Sequence, residues 1–157
     1  MSDYDSTPDT MEHIRRVRYY LDDVIRELDE RARDHDASKL FPPEKDGWDI
    51  ATPKLKDLTY GTEEYRQSLR ELRPTVEHHY AHNSHHPEFY PNGVDGMTLF
   101  DVVEMLCDWK AASERGKGNN FMEGLPYNKE RFGLSDQLYS ILENTAKAMG
   151  FEVPAQD

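Results

Sequence analysis

The chain has 157 residues, 31 acidic against 19 basic, and a formal charge of −12; the length suits one domain, and the charge, with no Lys/Arg-rich stripe to interrupt it, excludes a nucleic-acid polymer as partner. Exchanging the nine tyrosines for the nine glycines leaves the apolar fraction at 36%, below the ~45–50% of average domains, so the core must be small. A lone Cys107 allows neither an internal disulfide nor a cysteine-based zinc site, and no run approaches the ~20 apolar residues that span a bilayer, so a cytoplasmic protein with no membrane segment is expected.

The first ten residues, MSDYDSTPDT, are acidic and carry no apolar stretch, which predicts a flexible tail over 1–10 rather than a signal or an anchor. From Met11 to about Arg33, capped by Thr10, residues Ile14, Val17, Leu21, Val24, Ile25 and Leu28 recur at helical spacing and predict one buried stripe. Pro42, Pro43, Gly47, Pro53 and Gly61 predict an ordered loop over 40–61. A short helix over 63–73, with Tyr65, Leu69 and Leu72 inward, precedes a second that starts at Pro74 and stops by about Ser84, because Pro87 biases His86 away from helical geometry. Thr98 and Asp101 form a predicted capping box for a helix to about Ala112, with Leu99, Val102, Val103, Leu106 and Trp109 on its apolar face. After the loop RGKGNN, Ser135 starts a last helix through Leu138, Ile141, Leu142, Thr145 and Met149, ended by Gly150. No strand is predicted, and the fold class expected is all-α.

Three features carry chemistry. Five of the seven histidines fall in HHYAHNSHH, residues 78–86, and neutral imidazole is a ligand for Zn, Fe, Mn or Co. His79 and His82, or His78 and His82, lie about one helical turn apart; the competing reading is a solvated polar helix end. The segment lacks the glutamate of HExxH, so a zincin protease is not indicated. Second, DHDASK places His35 beside Asp36, a nitrogen and a carboxylate for one ion, with Lys39 three residues on to meet charge on a phosphoryl oxygen; taken alone, the dipeptide is more commonly just a solvated helix end. Third, Asp101, Glu104 and Asp108 share a helix face that periodicity assigns to solvent. Capping explains Asp101 and plain exposure Glu104, but the apolar surroundings of Asp108 demand a partner. Cys107 is expected to be a packed thiol.

The ordered set of His13, then His35, Asp36 and Lys39, then HHYAHNSHHPEFY, then Asp108 in MLCDW resembles the HD superfamily of metal-dependent phosphohydrolases. More closely, HDASKLFPPE, LTYG, HHYAHNSHHPEFY, VVEMLCDWKAA and NKERFGLSDQL are similar to uncharacterised phage and bacterial proteins of a domain-of-unknown-function family. The resemblance implies a compact HD-domain-like helical bundle over 11–157, in the host cytoplasm if phage-encoded. It implies His13, His35, Asp36 and Asp108 around one metal, with His79 and His86 at a second. His13 and His35 are 22 residues apart, roughly 33 Å along an unbroken helix; either the chain turns near Leu28–Glu30, or His13 is a core residue and a middle histidine replaces it.

The function expected is hydrolysis of a nucleotide or other small phosphate ester with one or two divalent ions, Mn, Fe, Co, Mg or Zn. Asp36, Lys39 and Glu88 are the catalytic candidates, and Lys39, Asn83, His82 and His85 those that bind substrate. The alternatives are an HD-fold di-iron oxygenase and a non-enzymatic phage protein directed at a host factor. Homo-oligomerisation is left open by the sequence.

Overall fold

The computed structural model describes residues 4–57, 63–114 and 120–152, and all their side chains except those of 55–57, 65, 66 and 69. The chain divides into two compact units, Met1–His35 and Asp36–Asp157. Both are helical, and no strand occurs among the described residues, as the sequence predicts. No helix among them is long and apolar enough to cross a membrane.

The first unit is one helix, α1, Thr7–Asp34, ended by His35 at φ −51° and ψ 125°. It begins three residues before the expected cap at Thr10, because Pro8 in its first turn gives up an N–H that a helix start leaves unbonded anyway. Pairs one turn apart run along it, Glu12 with Arg15 at 2.8 Å, Glu27 with Arg31 at 2.9 Å and Asp29 with Arg33 at 3.3 Å. The predicted burial of its stripe is not met. No residue of α1 is buried, and Ile14 (52%), Val17 (43%), Leu21 (55%), Val24 (38%) and Ile25 (62%) stay exposed. Within this unit a single helix has no second element to bury its apolar face against.

The second unit opens with Asp36 at φ 57°, a left-handed geometry that aspartate tolerates better than most residues. A 3-10 turn, Ala37–Leu40, leads to α2, Glu44–Asp57, and α3, Glu63–His82. Two further 3-10 turns, Pro87–Phe89 and Gly93–Gly96, connect to α4, Leu99–Ser113, followed by α5, Phe121–Phe132, and α6, Asp136–Ala148. The loop expected over 40–61 is therefore mostly helix α2; its LTYG end lies outside the described residues. Gly47 reads as a breaker in sequence but serves as a contact point, since a Cβ there would sit 1.9 Å from Thr75 Oγ1 on α3. The two helices predicted to meet at Pro74 are one, and α3 runs through that proline with Leu72 and His79 buried on either side of it. The side chains of Tyr65 and Leu69 are outside the described set.

Helix α5 is absent from the sequence reading, where Gly124 and Pro126 hide it. Asn120 caps it by accepting from Met122 N at 3.0 Å, and Gly133 ends it at φ 64°. Of the RGKGNN loop before it, 115–119 lie outside the described residues. Phe121 and Leu125 of α5 join Val102, Met105 and Leu106 of α4 and Leu142 and Ala146 of α6 in the core, with Leu134 from the loop between α5 and α6. Trp109 stacks on Phe132 at 5.5 Å beside it. The predicted caps hold at Thr98, Ser135 and Gly150, whereas Leu99, Ile141, Met149 and Cys107 prove exposed.

Gly47→Ala is expected to lower stability by about 1–3 kcal/mol, the usual cost of overpacking a tight contact. A thermal melt of the full chain checks it, and an unchanged midpoint would show that α2 and α3 do not approach this closely.

Candidate metal centre

Three lone pairs converge at the start of the second unit. Glu44, in the first turn of α2, has no exposure to solvent. Its two oxygens lie 2.9 Å from His78 Nδ1 and 2.9 Å from His79 Nδ1. With Nδ1–H of His79 donated to Glu44, the lone pair of His79 Nε2 is turned the other way, to 3.2 Å from Asp36 Oδ1. His85 repeats the arrangement. Its Nδ1 lies 3.0 Å from Glu104 Oε1 on α4, and its Nε2 lies 3.6 Å from the same Asp36 oxygen.

Two imidazole lone pairs and a carboxylate oxygen at these distances repel one another unless a proton or cation lies among them. His86 completes the group, its Nε2 2.9 Å from His79 Nε2. One ligand atom from each of Asp36, His79, His85 and His86 lies within 4.8 Å of the others. Three nitrogens and an oxygen form a donor set that fits a divalent transition metal, and carboxylates behind two of the imidazoles are the usual means of fixing a ligating histidine.

Electrostatics agree. Burial alone would raise the Glu44 carboxyl, but hydrogen bonds with His78, Ser38 and His79 outweigh it and hold the group below its ordinary value. Burial first, then the neighbouring His85 and His79, push His86 down to about 3, against the opposing pull of Asp108 and Asp36. His86 is thus neutral near pH 7, as a ligand must be.

Helix α4 supplies the wall. Its acidic face, read as solvent-facing in sequence, is turned into the protein: Asp101 is fully buried and Glu104 and Asp108 half-buried. Asp101 closes the capping box with Thr98 and accepts from Ser84 Oγ at 2.6 Å and Tyr90 OH at 2.8 Å. Against burial, these donors hold its carboxyl well below the usual range. The Ser84 bond ties the histidine turn to α4. A carboxylate oxygen of Asp108 lies within 4.8 Å of one of Asp36.

The other expected residues are placed as follows. Lys39 Nζ reaches Asp36 Oδ2 at 2.6 Å, on the predicted side, and lies 5.1 Å from the Trp48 ring centroid. Asn83 donates to Ser38 Oγ at 2.9 Å and to the His79 carbonyl at 2.8 Å, so it positions the cluster. His82 is exposed, stacked on His78 at 3.9 Å, outside the ligand group. Glu88 is also outside it and pairs with Arg131 at 3.2 Å. His13 is exposed on α1, which does not turn at Leu28–Glu30; about 33 Å of helix separates it from His35, so the two cannot share one ion. His35 ends the first unit.

Sequence reasoning missed Glu44 and Glu104, and gave His85 to substrate. The only signal for Glu44 was its place at the end of HDASKLFPPE.

Fold and cluster together define an all-α protein whose histidines and carboxylates could hold a metal ion. The chain belongs to the family described as "Family of unknown function (DUF5662)", which it matches over residues 2–148. No curated protein and no solved structure matches it.

Glu44→Gln is expected to weaken divalent-metal affinity by about 10–100-fold while the fold persists, since partners behind a ligating histidine carry effects of that size; competition titration against a chromophoric chelator measures it. In the metal-free protein, His86 takes up its proton near pH 6.5 when unfolded but only at about 3 when folded. The unfolded chain binds more protons between those values, so stability falls as pH drops through that window. Asp101, whose folded value is depressed, adds its loss only below its ordinary 3.8. Denaturant midpoints from pH 7 to 4 should decline less steeply in His86→Gln, and equal slopes would remove the buried neutral imidazole.

Proposed function

We propose that this protein is a metal-dependent phosphohydrolase acting on a small phosphate ester. The observation that carries the reading is the convergence of Asp36 Oδ1 with the Nε2 atoms of His79 and His85, each imidazole held from behind by a carboxylate. Asp36, His79, His85 and His86 would hold the ion, and Asp108 stands close enough to Asp36 to join or to serve a second one. A divalent ion bound there supplies Lewis acidity, making a nucleophile from water at neutral pH and offsetting phosphoryl charge.

The chain's own residues do the rest. Glu44 and Glu104 keep the histidine tautomers fixed, so no reorientation is needed when a ligand arrives. Lys39 brings positive charge beside Asp36 and can address an anionic oxygen of the substrate. The resemblance of the His35-Asp36, Lys39 and Asp108 set to the HD superfamily, without His13, supports a metal-dependent reaction of this kind, and the measurements below separate hydrolysis from oxygenation.

Protein purified without chelator or nickel affinity should carry at least one equivalent of Mn, Fe, Co or Zn by elemental analysis and release phosphate from some member of a phosphorylated-metabolite panel. Asp36→Asn should retain the fold by circular dichroism and lose roughly a hundredfold or more in rate, on the order of 3 kcal/mol of transition-state stabilisation. Metal-loaded protein that cleaves nothing in the panel but consumes oxygen would replace hydrolysis with oxygenation.

A further inference from the structure

His78 and His82 stand one turn apart on α3, and the ligand group around Asp36 uses neither. His82 is the last residue of the helix. The two rings stack with 3.9 Å between centroids and 14° between planes, so one helical turn sets a pair of imidazoles side by side. Both residues, and every partner named with them here, lie in the second unit.

Each ring has one nitrogen committed. His82 Nδ1 lies 2.7 Å from the carbonyl oxygen of His78. A carbonyl only accepts, so Nδ1 carries the proton and Nε2 of the neutral ring carries the lone pair. His78 Nδ1 lies 2.9 Å from Glu44 Oε1. Against burial, hydrogen bonds with His78, Ser38 and His79 hold the Glu44 carboxyl below its ordinary value. Near pH 7 it too only accepts, and the neutral His78 ring likewise keeps its lone pair on Nε2. Among the described residues neither Nε2 has a hydrogen-bond partner.

We propose that His78 and His82 form a second, outer site for a divalent transition-metal ion, bound through the two Nε2 atoms with water in the remaining positions. A ligating histidine ordinarily donates its other N–H to a carboxylate or to a backbone carbonyl, and this pair shows one of each. Both lone pairs are therefore fixed before an ion arrives. The C-terminal end of α3 adds the negative pole of the helix dipole, which favours a cation at this turn. Imidazole donors bind Cu2+ above Ni2+ and Zn2+, and two ligands hold an ion less tightly than the four donors around Asp36. Glu44 stands behind both sites, since its other oxygen lies 2.9 Å from His79 Nδ1. The inference does not rest on the proposed hydrolysis or on an ion at Asp36, because the pair is complete without either.

Isothermal titration of the metal-free full chain with Cu2+ should count one more equivalent in wild type than in His82→Gln or in His78→Gln, with circular dichroism unchanged. Either substitution should weaken Cu2+ at this place by roughly a hundredfold or more, because the second imidazole of a joined pair binds as an intramolecular ligand. In His85→Gln, which takes a donor from the Asp36 cluster, adding His82→Gln should remove the same single equivalent. A chain whose inner cluster takes up no ion would still show that loss, so the two readings fail separately. Equal Cu2+ counts in wild type and His82→Gln would overturn the outer site, and so would a loss that disappears in the His85→Gln background.

Discussion

A carboxylate with no access to water is strongly destabilised unless charge-compensating hydrogen bonds replace its hydration. Glu44 is in that position, and the second unit is arranged around satisfying it. Both of its oxygens are taken by imidazole nitrogens on α3. The bond to His79 fixes which ring nitrogen carries the proton, and therefore which one faces Asp36. Without it the ring would be free to turn over, and the lone pair at Asp36 would become an N–H. The same acid anchors the first turn of α2 against α3, so helix packing and ligand orientation rest on one interaction. Gly47, one turn along α2, allows the approach by having no Cβ to meet Thr75.

Helix α4 is the second support, and it works because its two faces do different jobs. Val102, Met105 and Leu106 seal the core with α5 and α6. Asp101, Glu104 and Asp108, on the other side, meet the histidine turn. Asp101 is the residue most constrained there, accepting from Thr98, Ser84 and Tyr90 together. Those bonds turn an N-terminal cap into a clamp on the segment that carries His85 and His86. Glu104, one turn on, then orients His85 as Glu44 orients His79. Rotamers set by charge-assisted bonds at both sites leave the cluster little to reorganise, which is what a preformed ligand site requires.

Much of this was legible in the sequence, and the exceptions have physical causes. Thr98, Asp101, Ser135 and Gly150 were readable as caps because capping is local chemistry. Asp36 and His79 stood out as candidates through the His-Asp pair and the crowding of five histidines into 78–86, Asp108 through apolar neighbours that suit a free carboxylate poorly, and His86 only through the family resemblance. Helices α2 and α5 were not, because Gly47, Pro53, Gly124 and Pro126 weaken local propensity, which packing onto α3 and onto the core overrides. Burial of Glu44 and Glu104 was hidden for a related reason. Glu44 fell in a predicted loop and helical period assigned Glu104 to solvent, and only the tertiary arrangement reveals the imidazoles that each of them meets. The α1 stripe shows the converse, an apolar period on a unit that consists of one helix.

The balance of charge at the cluster bears on what it can bind. Asp36, Glu44, Glu104 and Asp108 are four carboxyl groups, and Lys39 is the cation in contact with them. His86 stays neutral near pH 7 and adds nothing positive. A cluster so composed repels a phosphate ester when empty, and the surrounding chain, at −12, adds to the repulsion. One divalent ion reduces the negative excess without reversing it, whereas two reverse it, and the approach of Asp108 to Asp36 offers a second ion its first ligands. Affinity for an anionic ligand would therefore rise with metal loading more steeply than affinity for a neutral one, and the lone pairs that could hold the metal would set that dependence.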